Sequence, residues 1–230
     1  MKNAVERFNA IESDRSVRRP RVGVLGEVLM NFHPVANGQI ERYLEAHGME
    51  VIQPTLTDFF RKDFVEILFK AKRDLLQHKF LFSTLANVAE GAFVAVGETF
   101  QNILKDFKYY RTHFDINDLA RNIQGMIDET YESGEGWLMM GEILQLAKEG
   151  VNSFVVLNPF GCMPNHITGR GMIKPLKKRL PHVQIQALDY DPDTSFANIE
   201  NRLQMLVITA RELEKLTREA EVPQELADNL

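Results

Sequence analysis

The chain has 230 residues, of which 44% are hydrophobic and 26% charged, with a formal net charge of -5. That is enough apolar material to bury a core, as one large domain or one domain with an insertion, and it argues against disorder; there is no basic excess of the kind that drives non-specific nucleic-acid binding. The segment from Met1 to Arg7 is charged and lacks an apolar h-region, and no uninterrupted apolar run approaches the roughly 20 residues of a membrane span, so the expectation is a cytoplasmic protein without nucleic-acid or membrane partners.

Val5, Phe8 and Ile11 recur at helical spacing among charges, which predicts a solvated lead-in helix over about Lys2 to Ser16, within residues 1–19. Arg19-Pro20-Arg21 stops it. Val22-Gly23-Val24-Leu25-Gly26 is a short β-branched run ended by glycine and reads as a buried parallel strand. After the loop Asn31 to Gly38, the residues Ile40, Tyr43, Leu44 and His47 predict a helix closed by Gly48, and Glu50-Val51-Ile52-Gln53 a second strand.

From about residue 58 to 150 the pattern is helical, with Phe59, Phe60, Phe64, Ile67, Leu68, Ala71 and Leu75 at i, i+3, i+4 spacing. Phe80 to Phe107 carries little charge, so a largely buried helix is expected there, with Gly91 and Gly97 marking close packing or breaks. Ser133-Gly134-Glu135-Gly136 is a turn cluster. Trp137, Leu138, Ile143, Leu144 and Ala147 continue as an amphipathic helix ended by Gly150.

Strand and helix alternate again in the last section. Ser153 to Leu157 is an apolar run fit for a central strand, a helical stretch reaches about Leu180, and Val183 to Leu188 is a fourth strand. Phe196, Ile199, Leu203, Leu206, Ala210 and Leu213 lie on one face of a final helix, read as core packing ahead of a partner surface. The predicted fold is therefore α/β, an open Rossmann-like parallel sheet of about four strands in a single domain over residues 20–217. A helical insertion falls between strands 2 and 3, and a C-terminal tail covers residues 218–230. In such sheets ligands bind beyond the carboxyl ends of the strands. Those ends are Gly26 to Asn37, Asn158 to Gly171 and Asp189 to Asp193.

The strongest local signal is Asn158 to Met172, where the single cysteine, Cys162, follows a buried strand and precedes Pro164, a residue favoured in a helix's first turn. Unpaired amides and the helix dipole would favour a thiolate there, as a metal ligand or nucleophile requires. A buried, inert cysteine in a tight turn is the other reading. His166 follows four residues later, yet a closed zinc site needs four ligands and no second cysteine exists. It is expected to cap or pack in the first turn.

Gly23 to Glu27 lacks the full dinucleotide fingerprint, and no phosphate-binding P-loop motif is present. Glu27, His33 and Asn37, on the loop after the first strand, are placed to line the same crevice. Asp189, Asp191 and Asp193 offer carboxylates at that edge, although Asp193 or Ser195 also suits the N-cap of the last helix and Asp191-Pro192 is ordinary turn chemistry.

Taken in order, Gly134-Glu135-Gly136-Trp137-Leu138, then Pro159-Phe160-Gly161-Cys162-Met163-Pro164-Asn165-His166 with Thr168 to Met172, and Asp189-Tyr190-Asp191-Pro192 carry a resemblance. The chain resembles the C-terminal region of the large activator proteins of the 2-hydroxyacyl-CoA (2-hydroxyglutaryl-CoA) dehydratase and acyl-CoA dehydratase activase family. Arg21 to Glu27 and the loop from His33 to Asn37 fit the same region. The resemblance implies cysteines from successive Rossmann-like domains around a [4Fe-4S] cluster, and a partner activase that delivers an electron using ATP.

Cys162 matches the cysteine of the last such domain, which makes it the implied metal ligand, with Gly161, Asn165 and His166 beside the cofactor. The chain departs from the pattern in having no further cysteine and no ATP-binding segment. The implied function is a component or fragment of such a system, inactive alone, whose iron-sulfur site is completed by another dehydratase- or activase-type domain or subunit. A homo-oligomer is also open. The alternative is a non-catalytic ligand-binding or interaction domain that keeps the fold and has lost the cluster.

Overall fold

Four strands form one all-parallel sheet in the order β2-β1-β3-β4 in the computed structural model, which describes residues 2–14, 16–111, 114–191 and 196–221. They are β1 (Arg21–Gly26), β2 (Glu50–Ile52), β3 (Ser153–Pro159) and β4 (Gln184–Tyr190). β1 and β3 are buried almost throughout, which is why their sequences read as continuous apolar runs rather than as alternation. Their register runs from Val22 opposite Ser153 to Gly26 opposite Leu157.

Helices cover both faces, as expected of a Rossmann-like α/β fold. On one face α7 (Leu138–Lys148) and α8 (Ile173–Arg179) pack with Leu25, Phe154, Val156 and Ile185. On the other, α3 (Ile40–Ala46) and α9 (Phe196–Glu221) pack with Val22, Val24, Val155, Leu157 and Leu188. The α9 stripe is core at Ile199, Leu203, Leu206 and Ala210, whereas Phe196 is exposed at its start. Gly23 lies against the Phe154 ring, where a Cβ would approach within 2.5 Å, so its small size admits a neighbouring strand's aromatic ring.

Several boundaries differ from the sequence reading. The lead-in helix α1 (Lys2–Asn9) is shorter than expected, because only Val5 finds a buried position. α9 continues to Glu221, so residues 218–221 belong to the helix and not to a tail. The expected cap by Asp193 or Ser195, and the rest of the tail, lie outside the described residues. Of the insertion between β2 and β3, α4 (Leu56–Lys72), α5 (Lys79–Leu104) and α6 (Ile116–Asn122) precede α7, which is itself a sheet-covering helix.

The helix expected to be buried is the most exposed one. α5 runs unbroken through Gly91 and Gly97 for 26 residues, about 39 Å at 1.5 Å per residue, and among its side chains only Ala86 is buried. By length and composition it is long and apolar enough to cross a membrane, although Glu90 and Glu98 interrupt its apolar run. Its inward face is Ser83, Ala86, Glu90, Gly97 and Gln101, while Leu81, Leu85, Val88 and Val96 point outward.

The cause lies in α4, whose buried residues are Asp58, Arg61, Lys62, Val65 and Glu66 rather than its phenylalanines. Arg61 takes Glu90 of α5 through both nitrogens of its fork. A largely polar inner layer thus joins the two helices and leaves much of the apolar surface of α5 outward.

Exposed apolar patches of this extent bind hydrophobic dyes and mark interaction surfaces. The double substitution Leu85→Glu with Val88→Glu is expected to lower anilinonaphthalene sulfonate fluorescence of the native protein while changing stability by no more than about 0.5 kcal/mol per site, since both positions are exposed. Unchanged dye binding, or unfolding, would show that this face is already covered.

Candidate functional site: a polar crevice at the carboxyl edge of the sheet

β3 leaves the sheet at Pro159, and the N–H of Phe160 still donates to the carbonyl of Tyr190 at 2.8 Å, keeping the exit beside β4. Gly161 takes φ 73°, which turns the chain, and the Cys162 N–H donates back to the carbonyl of Pro159 at 3.1 Å. Pro164 then opens a helical segment, as the sequence indicated. It begins as a π-helical turn, Asn165–Gly169, and a 3-10 turn, Arg170–Met172, before α8 starts. Local π geometry of this kind recurs at functional sites.

Cys162 is half-buried and unpaired in any disulfide. Asn165 is fully buried, and its Nδ2 donates to the Cys162 sulfur at 3.2 Å. A donor aimed at sulfur favours negative charge there. The ring of His166 lies with Nδ1 at 2.8 Å from the Cys162 carbonyl. A carbonyl only accepts, so Nδ1 carries the proton. Its other nitrogen sits 3.8 Å from Asp189, which Arg170 also holds. His166 therefore fastens the turn to β4, in keeping with the packing role read for it.

Asp189 belongs to β4, paired with Asn158 of β3, and does not stand beyond the strand as expected. Asn158 is fully buried, and among the described residues neither atom of its amide has a hydrogen-bond partner. Asn165 Oδ1 and Glu135 Oε2 are likewise buried without partners. Orphaned polar atoms are rare in folded proteins and call for an ordered water or a ligand.

In the sequence Glu135 reads as part of a turn before Trp137 and of a segment that carries the resemblance, and not as a site residue. Gly134 packs against Pro164, where a Cβ would meet the ring at 3.2 Å, and this brings Glu135 into the crevice. Its Oε1 accepts the Val28 N–H at 2.8 Å. Burial pushes its carboxyl up, the charge of Glu27 adds to that, and the backbone N–H groups of Glu135 itself and of Val28 oppose it. Glu27 itself caps α2 (Val28–Phe32), its Oε2 accepting from Met30 at 3.0 Å.

Two expected crevice residues serve elsewhere. His33 is exposed, and its Nδ1 accepts the N–H of Ala36. Asn37 is buried but spent on backbone, donating to the Met30 carbonyl and accepting from Ile40, while its own carbonyl takes the Tyr190 hydroxyl. Asp191 is half-exposed at the end of β4. The structure thus gathers Gly161, Cys162, Asn165, His166 and Asp189 with Arg170, and joins to them Glu27, Glu135 and Asn158.

For a metal or cluster, this donor set supplies one thiolate, and no group of three His, Cys, Asp or Glu side chains able to hold an ion occurs among the described residues. One thiolate is fewer than an iron-sulfur cluster takes. Compared with protein-family models, with curated proteins and with solved structures, the chain finds no match in any of the three.

Proposed function

We propose that this chain is a component of a 2-hydroxyacyl-CoA dehydratase- or activator-like system, contributing Cys162 to an iron-sulfur site that a second chain or domain completes. The observation that carries the reading is the half-buried Cys162 at the exit of a central strand, with a buried amide donating to its sulfur. The order of the motifs around Gly134, Cys162 and Asp189, which resembles that family's, supports it as well. A [4Fe-4S] cluster is held by several thiolates and supplies a one-electron redox centre. With one cysteine in the sequence, the other ligands must come from outside.

In this reading Cys162 holds one iron. Asn165 tunes the charge on its sulfur, as hydrogen bonds to cluster sulfurs do. His166, Asp189 and Arg170 hold the loop in place. The orphaned atoms of Asn158, Asn165 and Glu135 favour a second reading, a domain that binds a polar small ligand without any cluster.

Anaerobic reconstitution with iron and sulfide, followed by absorbance and electron paramagnetic resonance, separates the two. A cluster is expected only when a cysteine-bearing chain encoded beside this one is added, and Cys162→Ala abolishes it. Absence of iron with every such chain, together with unchanged partner binding by the alanine variant, sinks the first reading.

A further inference from the structure

β2 ends at Ile52, opposite Gly23, while β1 runs on to Gly26. The chain then turns through Pro54 into α4, and beside that turn lies a cavity of about 260 Å³. Its walls are largely aliphatic and aromatic, from Ile52, Phe114, Leu119 and Leu146. A cavity of roughly 150 Å³ holds benzene, so this one accommodates a ring with a short arm.

Carboxylates dominate the polar part of the lining. Asp58 of α4 accepts the Thr55 hydroxyl at 2.9 Å and lies 3.7 Å from Arg61. Arg111 is engaged by Glu50 at 2.5 Å, and Glu149 is at the C-cap of α7 with its carbonyl taken by Arg21. Glu142, one turn before Leu146 on α7, makes no hydrogen bond or ion pair with any described residue.

Glu142 is half-buried and lines the cavity. Burial raises its pKa well above the ordinary carboxylate range, and the negative charges of Asp58 and Glu135 add to the shift. The shift favours the protonated form of this carboxyl. It is a half-buried carboxyl with no hydrogen-bond partner among the described residues, set against a largely apolar lining.

We propose that this cavity binds an amphipathic organic cation, its ammonium group on Glu142 and its apolar body against Ile52, Phe114, Leu119 and Leu146. An anion is disfavoured by Asp58, Glu142 and Glu149, against which the one guanidinium of the lining is already paired with Glu50. A neutral apolar molecule would fill the space but leave the carboxyl unbonded. The cation turns Glu142 into a carboxylate, and the displaced proton leaves to buffer.

The probes are 2-phenylethylamine and its neutral counterpart 2-phenylethanol, titrated calorimetrically into the full chain at pH 7 in two buffers of different ionisation enthalpy. The amine is expected to bind at least about tenfold more tightly than the alcohol, a 1.4 kcal/mol difference, and to release up to one proton. Glu142→Gln is expected to remove both the preference and the proton release. Leu146→Phe, which fills the chamber without touching the acid, is expected to block both probes.

Equal affinity of wild-type protein for amine and alcohol, binding without proton release, or no binding at all overturns the proposal, whether or not either variant folds. The site is separate from Cys162, so Cys162→Ala leaves amine binding unchanged. That result also keeps a failure here distinct from a failure of the iron-sulfur reading.

Discussion

Trp137→Ala is expected to cost about 3 to 5 kcal/mol of folding stability, the range for removing a large buried aromatic, measured as the loss between urea midpoints scaled by a common slope. The indole is wholly buried, stacks edge-on to Phe69 at 6.2 Å, and its Nε1 donates to Glu66 Oε1 at 3.1 Å. Glu66 in turn receives Lys62, whose ammonium also donates to the Glu132 carbonyl at 2.8 Å. The tryptophan therefore joins the sheet-covering helix α7 to the inserted helix α4, and alanine leaves a cavity beside an under-bonded carboxylate. Trp137→Phe keeps most of the volume and is expected to cost about 1 to 3 kcal/mol, the range for leaving a buried partner unsatisfied. A loss below about 1 kcal/mol for the alanine variant would mean that α4 does not dock as described.

The same network gives stability a pH dependence. Burial pushes the Glu66 carboxyl up to about 7, more than Lys62 pulls it down. The folded state thus holds its proton to higher pH than the unfolded chain, whose glutamate titrates near 4.5. Stability from this group is present below pH 4.5 and is lost as pH rises from there through about 7.

Sheet and site were unequally legible in the sequence. β1 and β3 announced themselves because strands buried on both faces must be apolar throughout, β4 because its apolar residues alternate with polar ones as on a half-buried edge strand, and α9 because a helix on one face must carry a stripe. The Cys162 turn was legible through its chemistry, since glycine and proline around a cysteine leave few backbone options. The insertion misled for a physical reason. Periodicity reports that one side of a helix is apolar, not which way that side faces, and here the ionic layer of Asp58, Arg61, Lys62, Glu66 and Glu90 took the inward side.

Asn158 and Glu135 were missed as site residues for a related reason. Each is a single polar residue at the end of an unremarkable run, and only the sheet register and the approach of Gly134 to Pro164 bring them to the cysteine loop. An asparagine closing the otherwise apolar strand Ser153 to Leu157 was the one hint available. His33 and Asn37 illustrate the converse. A polar residue on the right loop is often consumed by that loop's own backbone.

Gly26→Ala is expected to be as damaging as any single-residue change in the sheet, and to damage the site with it. Gly26 has φ 153°, where side chains are rarely tolerated, and a Cβ there would lie 2.2 Å from the Leu157 carbonyl oxygen and 2.7 Å from its nitrogen. Those atoms belong to the neighbouring strand's backbone and cannot rotate away. Relief requires β1 and β3 to part at their carboxyl ends, where Glu27 N–H bonds the same Leu157 carbonyl at 3.0 Å. Overpacking of about 1 to 3 kcal/mol and backbone strain of about 1 to 3 kcal/mol together give a loss of roughly 2 to 6 kcal/mol, measured by chemical denaturation. Because Asn158 and the turn to Cys162 follow Leu157 directly, maleimide labelling of Cys162 in the native protein should speed up as well. Gly125→Ala supplies the control: it shares a positive φ of 78° but has nothing within 4 Å of the added carbon, so it bears the strain alone. If the two variants unfold at the same denaturant concentration, the close approach of β1 to β3 does not govern the geometry of this edge.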